Sequence, residues 1–339
     1  MSAFAKNIKL VLPLVLVLSI VGCGHTTNVA TPTTNATTSL TKATATATQT
    51  TTSKMTKVAG PATYIAASSL GLVDRNLYTY GDVDKKLADS LESVLKKYKN
   101  NISIACWSTD GSRAVLYNTK QTYFSACTIK MPVMYAYCKQ IDAGKIDADK
   151  KLTYASRHYY GGSGEIRHQP YGTQYSTKYL IEKSLSVSDN VAYVMLLEEY
   201  GKDAMNATVE QLGCDSVAFS SGSKWAKQMN ARDLMVVWSE VYKYFCSGSS
   251  NAKMLKDACT NTDFNYGTEK ITEYDYSHKS GDNFGEFRAY HDAGIVWSDV
   301  PYVYVVLTRS EGTAYDRATV DASMEIVKEI MTNNEGGIK

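Results

Sequence analysis

The spacing of apolar residues changes twice along this chain, and the order of those changes leaves few folds open. Val83, Leu87, Leu91, Val94, Leu95 and Tyr98 recur at helical spacing, which predicts an amphipathic helix over 82–99, ended by Asn100-Asn101. Ile102, Ile104 and Cys106 then alternate with polar neighbours as a strand does. Asp110-Gly111 is a hairpin turn signal, and 114–117 is the returning strand. A long middle follows, irregular over 152–175 and helical over 177–185, 191–200, 206–212 and 231–245. The chain then turns to strands again at 276–280, 289–297 and 302–308, and closes with a helix over 317–331. Strands at both ends of such a chain satisfy their edges by pairing in one antiparallel sheet. The expected class is α+β: an antiparallel sheet flanked by helices, with an all-helical lobe.

Within this pattern three short stretches carry chemistry. The first is Cys127-Thr128-Ile129-Lys130, a nucleophile and a lysine three residues apart, which share a face on a helix. Pro132 is tolerable only near a helix start, so the helix is expected to begin at or just before Cys127, with its dipole favouring negative charge there. The second is Ser188-Asp189-Asn190 and the third Lys279-Ser280-Gly281, at the end of a strand. A nucleophile needs a base, and a lysine beside a second cation gives up its proton more readily. Lys130 is that base and Lys279 the second cation. Ser188 can relay a proton, Asn190 can hold an amide, and Lys279 with Ser280 can grip a carboxylate. Amides at Cys127 and just past Gly281 would form an oxyanion hole. Each stretch alone is commonplace; together, in this order, they describe acyl transfer on a substrate with a free carboxylate.

The set resembles the S-x-x-K, S-D-N and K-T/S-G motifs of class A β-lactamases and penicillin-binding D-Ala-D-Ala peptidases. The resemblance covers about 77–333, including the closing stretch from His291 to Trp297. It implies the β-lactamase/transpeptidase-like fold, Cys127 as nucleophile, Lys130 as base and Ser188 as relay. It implies substrate contacts from Asn190, Lys279, Ser280, Gly281 and the Asp282 amide, with Tyr160 or its neighbour Tyr159 walling the pocket. Cofactors and metals are not expected. The expected partner is a β-lactam or a peptidoglycan peptide. The chain departs from the pattern twice. Cysteine stands where the family carries serine, and 215–230, which corresponds to the loop bearing the deacylating glutamate of the lactamases, contains no glutamate. Glu165 precedes the second motif and is not equivalent. Slow or altered acyl transfer is the expected consequence. A binding or sensor protein that has lost the chemistry is the second reading. A purely structural surface protein gives no reason for Lys130, Ser188, Asn190 and Lys279 to stand together.

The N-terminus concerns location. Lys6 and Lys9 precede an apolar run from Leu10 to Val21 that ends in Gly22-Cys23. This reads as a secretory signal whose end resembles a bacterial lipobox, with Cys23 lipidated; an ordinary signal peptide or a short anchor is the other reading. The run is short for a spanning helix, which needs about 20 residues. The expected layout is a signal over 1–22, a tether rich in Thr over 23–76 and a catalytic domain over 77–335. The tether's part from 24 to about 60 has too few large apolar side chains to offset its ordering entropy, and as a flexible coil of about 37 residues it would reach on the order of 30 Å. The expected product is an exported monomer, lipid-anchored to the outer face of a bacterial membrane. Loss of the signal removes two lysines and lowers the formal charge from +2 to zero. That leaves no electrostatic case for nucleic acid. Among the remaining cysteines, Cys106 and Cys138 read as core. Cys246 and Cys259 are close enough in sequence to bridge.

Overall fold

The computed structural model describes residues 76–98, 101–217, 219, 223–225, 228–264, 271–284, 288–309 and 314–332. The expected signal, Cys23, the tether up to residue 75 and the segment after 332 lie outside the described residues. The first part of the chain forms β1 (Leu77–Tyr80), α1 (Lys85–Tyr98), β2 (Ile102–Ser108), β3 (Ala114–Tyr117) and the short β4 (Thr122–Tyr123). A 3-10 turn, Ala126–Ile129, leads into α2 (Lys130–Asp142). The middle holds β5 (Lys151–Thr153), β6 (Gln174–Ser176), α3 (Thr177–Ser186), α4 (Asn190–Tyr200), α5 (Asp203–Gln211), β7 (Met229–Asn230), α6 (Ala231–Phe245) and α7 (Ser250–Thr260). The last part is β8 (Tyr276–Asn283), β9 (Ala289–Val296), β10 (Tyr302–Thr308) and α8 (Ala314–Thr332).

The main sheet runs β1-β3-β2-β10-β9-β8, with every neighbour antiparallel. The two ends of the chain meet at its centre, where Ile102 pairs with Thr308 and Ser108 with Tyr302. The expected pairing of early with late strands is therefore present. Both faces of the sheet are covered by helices, so the alternation read on β2 leaves no exposed face. On β10, Val303, Val305 and Leu307 join the core shared with α2, α4, α6 and α7. Tyr302, Tyr304 and Val306 join a second core with Leu91 and Leu95 of α1 and Val320, Met324 and Val327 of α8. The polar neighbours on β2 are small and paired rather than exposed: the buried Ser103 hydroxyl donates to the Asn118 carbonyl at 2.5 Å. Strands buried on both sides read as continuous apolar runs, as β10 does.

Six elements were not anticipated: β1, the paired strands β4 with β7 and β5 with β6, and α7. The paired strands β5 and β6 are three residues each and lie in the stretch expected to be irregular. Cys246 is exposed, Cys259 is buried, and both are free thiols, so the bridge considered between them is not formed. Cys106 and Cys138 are buried core, as expected.

Candidate active site

Cys127 does not begin an α-helix. It sits in the 3-10 turn, and the α-helix starts three residues later at Lys130. The turn opens on Ala126 in the left-handed region, φ 44°, which a residue with a Cβ adopts only under constraint. The constraint comes from both sides. The Phe124 carbonyl accepts a 2.7 Å hydrogen bond from His291 Nε2 on β9, and the Thr128 hydroxyl donates to the Ser125 carbonyl at 2.5 Å. On the other side β8 lies directly against the turn. A Cβ on Gly281 would stand 2.7 Å from the Cys127 nitrogen and 2.8 Å from the Thr128 nitrogen. Only glycine lets the strand approach this closely.

Lys130, on the first turn of α2, is fully buried. Its ammonium donates to the Ser188 carbonyl at 2.6 Å, the Asn190 Oδ1 at 2.7 Å and the Ser188 hydroxyl at 3.2 Å. The Cys127 Sγ lies 3.9 Å from the same Asn190 Oδ1. The first two motifs thus meet, as the sequence implied. The third meets them as well: Lys279 is buried beside the thiol, with its ammonium on the Ser280 carbonyl at 2.8 Å. Ser280 Oγ donates to the Phe264 carbonyl at 3.2 Å.

Burial pushes the Cys127 thiol up, but the ammoniums of Lys130 and Lys279 and a hydrogen bond with Ser188 outweigh it and hold the thiol below its ordinary value. Burial also lowers Lys130, to about 8; the nearby Cys127 opposes this and Lys279 adds to it. Lys279 is lowered as well, chiefly by burial. The charge favouring a thiolate comes from two lysines, and Cys127 also lies in the first, 3-10 turn of a helical segment that continues into α2. Cys127 is partly exposed while both lysines are buried, so the thiol is the member of the group that a ligand can reach.

Several contributors were not anticipated. Asp189 carries no catalytic contact. One oxygen caps α4 by accepting from Val191 N and Ala192 N, each at 2.9 Å; the other accepts from Glu165 N at 2.8 Å and Ile166 N at 2.9 Å. It therefore staples the 161–166 loop to the start of α4. Gly164, at φ 104°, permits this, because a Cβ there would stand 2.4 Å from Asp189 Oδ2. The stapled loop presents the Gly161 carbonyl, which accepts from Asn190 Nδ2 at 2.8 Å and turns its Oδ1 toward Lys130 and Cys127. Beside Lys130 stands an aromatic group. Its ammonium lies 5.7 Å from the Tyr193 ring centre and 5.6 Å from that of Trp225. Trp225 stacks on Tyr193 at 5.0 Å, and its indole N–H donates to the Tyr160 hydroxyl at 2.8 Å. Of the two tyrosines considered for the wall, Tyr160 joins this group and Tyr159 is 56% exposed. The Glu165 side chain is exposed, away from these groups. Asx caps and Gly-rich turns were visible signals for the staple; nothing in the spacing of Tyr193 or Trp225 distinguished them from core.

A cysteine on a constrained turn, a buried lysine, a Ser-x-Asn loop and a Lys-Ser-Gly edge strand thus stand together on this fold. The sequence model of the beta-lactamase enzyme family matches residues 86–332, and the chain belongs to that family. Among curated proteins, the extended-spectrum beta-lactamase PER-1 of Pseudomonas aeruginosa is 23% identical over 196 residues, 57% of this chain and 61% of that protein. The match therefore spans less than two thirds of that relative. Among solved structures, a mutant of PBP-A in acyl-enzyme complex with penicillin G has a TM-score of 0.65 at 18% identity, covering 74% of this chain and 97% of that one. A beta-lactamase from Sphaerobacter thermophilus has a TM-score of 0.66 at 16% identity, covering 75% and 100%. At these identities the likeness is one of fold: the beta-lactamase/transpeptidase-like fold.

Proposed function

We propose that the chain is an acyl-transfer hydrolase that attacks a β-lactam or a D-Ala-D-Ala-type amide through Cys127. The observation that carries this reading is the Lys130 ammonium, fixed by Ser188 and Asn190 beside a thiol whose amide faces Gly281. The Cys127 thiolate adds to the substrate carbonyl carbon, and the oxyanion is received by the amides of Cys127 and Asp282. The carbon–nitrogen bond then breaks, leaving a thioester on Cys127. A lysine whose pKa is about 8 is mostly protonated at neutral pH, so with a thiolate as nucleophile it serves as the acid. Its proton passes, directly or through the Ser188 hydroxyl, to the leaving nitrogen. Asn190 holds the substrate amide, Lys279 and Ser280 its carboxylate, and Tyr160 walls the pocket.

Release is the slow step in this reading, because 215–230 holds no glutamate to activate water. Both oxygens of Asp189 are already occupied by backbone amides. The cysteine itself favours a second reading: a cell-wall peptide or β-lactam binding or sensor protein that forms no adduct. In either case the proposed setting is extracellular, with a signal over 1–22, lipidation at Cys23, a tether over 23–76 and a monomeric domain over 77–335. Intact-mass spectrometry after incubation with a penicillin separates the two readings. A lasting adduct on the native chain, with slow loss, supports the enzyme; an adduct on Cys127→Ser alone supports the sensor. Rapid multiple-turnover hydrolysis would refute slow release.

A further inference from the structure

One acidic side chain at this site has no role in the chemistry above. Asp282 follows Gly281 on β8, the edge strand of the sheet, and so stands one residue beyond the closest approach to Cys127. Side chains alternate along a strand, which puts Asp282 on the face of Ser280, roughly 7 Å further along, and opposite that of Lys279. It is partly exposed, and among the described residues its carboxylate has no hydrogen-bond or ion-pair partner. The other acidic groups near the site are engaged. Asp189 accepts four backbone amides, and Asp292 pairs with His278 at 2.8 Å. This carboxylate favours the Lys279 ammonium, but it works against the thiol and the ligand's own carboxylate. Its charge raises the Cys127 thiol, against both lysines, and it repels the carboxylate that Lys279 and Ser280 are placed to receive. A cation on the ligand would remove both penalties. Phe284, two residues on and 62% exposed, adds an apolar surface beside it.

We propose that the Asp282 side chain is a specificity-determining group that selects substrates carrying an ammonium group near the amide under attack. The substrate class is zwitterionic: carboxylate toward Lys279 and Ser280, ammonium toward Asp282. This rests on the acyl-transfer reading of the site.

Ampicillin and benzylpenicillin test it, since they differ by one amino group on the side chain. Their rates of adduct formation are compared at about pH 6, where that amine is protonated, at low salt. The native chain is expected to favour ampicillin by about threefold, the scale of a partly exposed ion pair. Asp282→Asn should bring the ratio to about one while keeping the backbone amide, and Asp282→Lys should invert it; high salt should erode the preference in the native chain. The readout is a ratio, so a general loss of activity does not disturb it. Equal rates in the native chain, or a ratio unmoved in Asp282→Asn, overturn the proposal while leaving acyl transfer intact. If neither compound forms an adduct, the acyl-transfer reading fails by itself, and the ratio is taken from equilibrium binding of the same pair. Absence of binding, or equal binding, then overturns the Asp282 assignment as well.

Discussion

At the scale of single residues, having a thiol at position 127 decides which group holds the proton at rest. A serine hydroxyl beside Lys130 would need the lysine neutral; a thiol held low by two ammoniums needs it charged. Alkylation of Cys127 by iodoacetamide should therefore reach its plateau with a midpoint below that of a free cysteine, about 8.5. Lys130→Gln should move that midpoint upward, since burial then acts with one compensating cation fewer. A midpoint in the native chain at or above that of free cysteine would contradict the thiolate assignment.

At the scale of elements, the site depends on how α4 begins. Removing the Asp189 carboxylate orphans two cap amides of α4 and two amides of the loop, all satisfied by one side chain. Asp189→Ala should cost roughly 3 kcal/mol, the sum of a lost cap and unsatisfied buried donors. Chemical denaturation measures that cost, and protease cleavage within 161–166 should appear in the variant and not in the native chain. The β9 strand supplies a second dependence. Burial lowers His291 to about 4, against the opposing effect of its hydrogen bonds to backbone. Its ring is neutral, donating to the Phe124 carbonyl and accepting from Thr308 N at 3.0 Å. Unfolded, it takes a proton near pH 6.5. Between the two values the unfolded state binds more protons, so this contribution is whole above about pH 6.5 and is lost as pH falls toward 4, by roughly 3 kcal/mol. Histidine NMR should show one imidazole still neutral at pH 5, and denaturation midpoints should fall over the same interval.

The elements legible in the sequence were those with a sustained period: α6 has the expected bounds and β10 likewise. The three motifs were legible because each is a chemical pattern on a short local frame. What escaped has the opposite character. The ladder β4–β7 is two residues deep and exists only because distant segments bring Thr122 opposite Asn230. The 3-10 start of the nucleophile turn follows from β8 pressing on it, a tertiary effect that local helix signals do not carry. Tyr193 looks like core from its spacing, and it is core; its closeness to Lys130 follows from the placement of α4 against α2.

At the scale of the molecule, the sheet separates two jobs. Its site face carries α2, α4, α6 and α7; its other face is closed by α1 and α8. Met324 on α8 is fully buried in that second core. Met324→Ala should destabilise the fold by about 3 kcal/mol. The alkylation midpoint of Cys127, measured where the variant is folded, should not move, because none of the described residues named around the thiol belongs to that layer. A shifted midpoint would show the two faces to be coupled. The pairing of β2 with β10 has a consequence for time as well as place. Residues about 200 positions apart must find each other before the central ladder exists. Contacts this distant in sequence make folding slow. A ribosome therefore releases most of this chain before its core can close, so the early strands wait, unpaired at the sheet's centre, for partners not yet made.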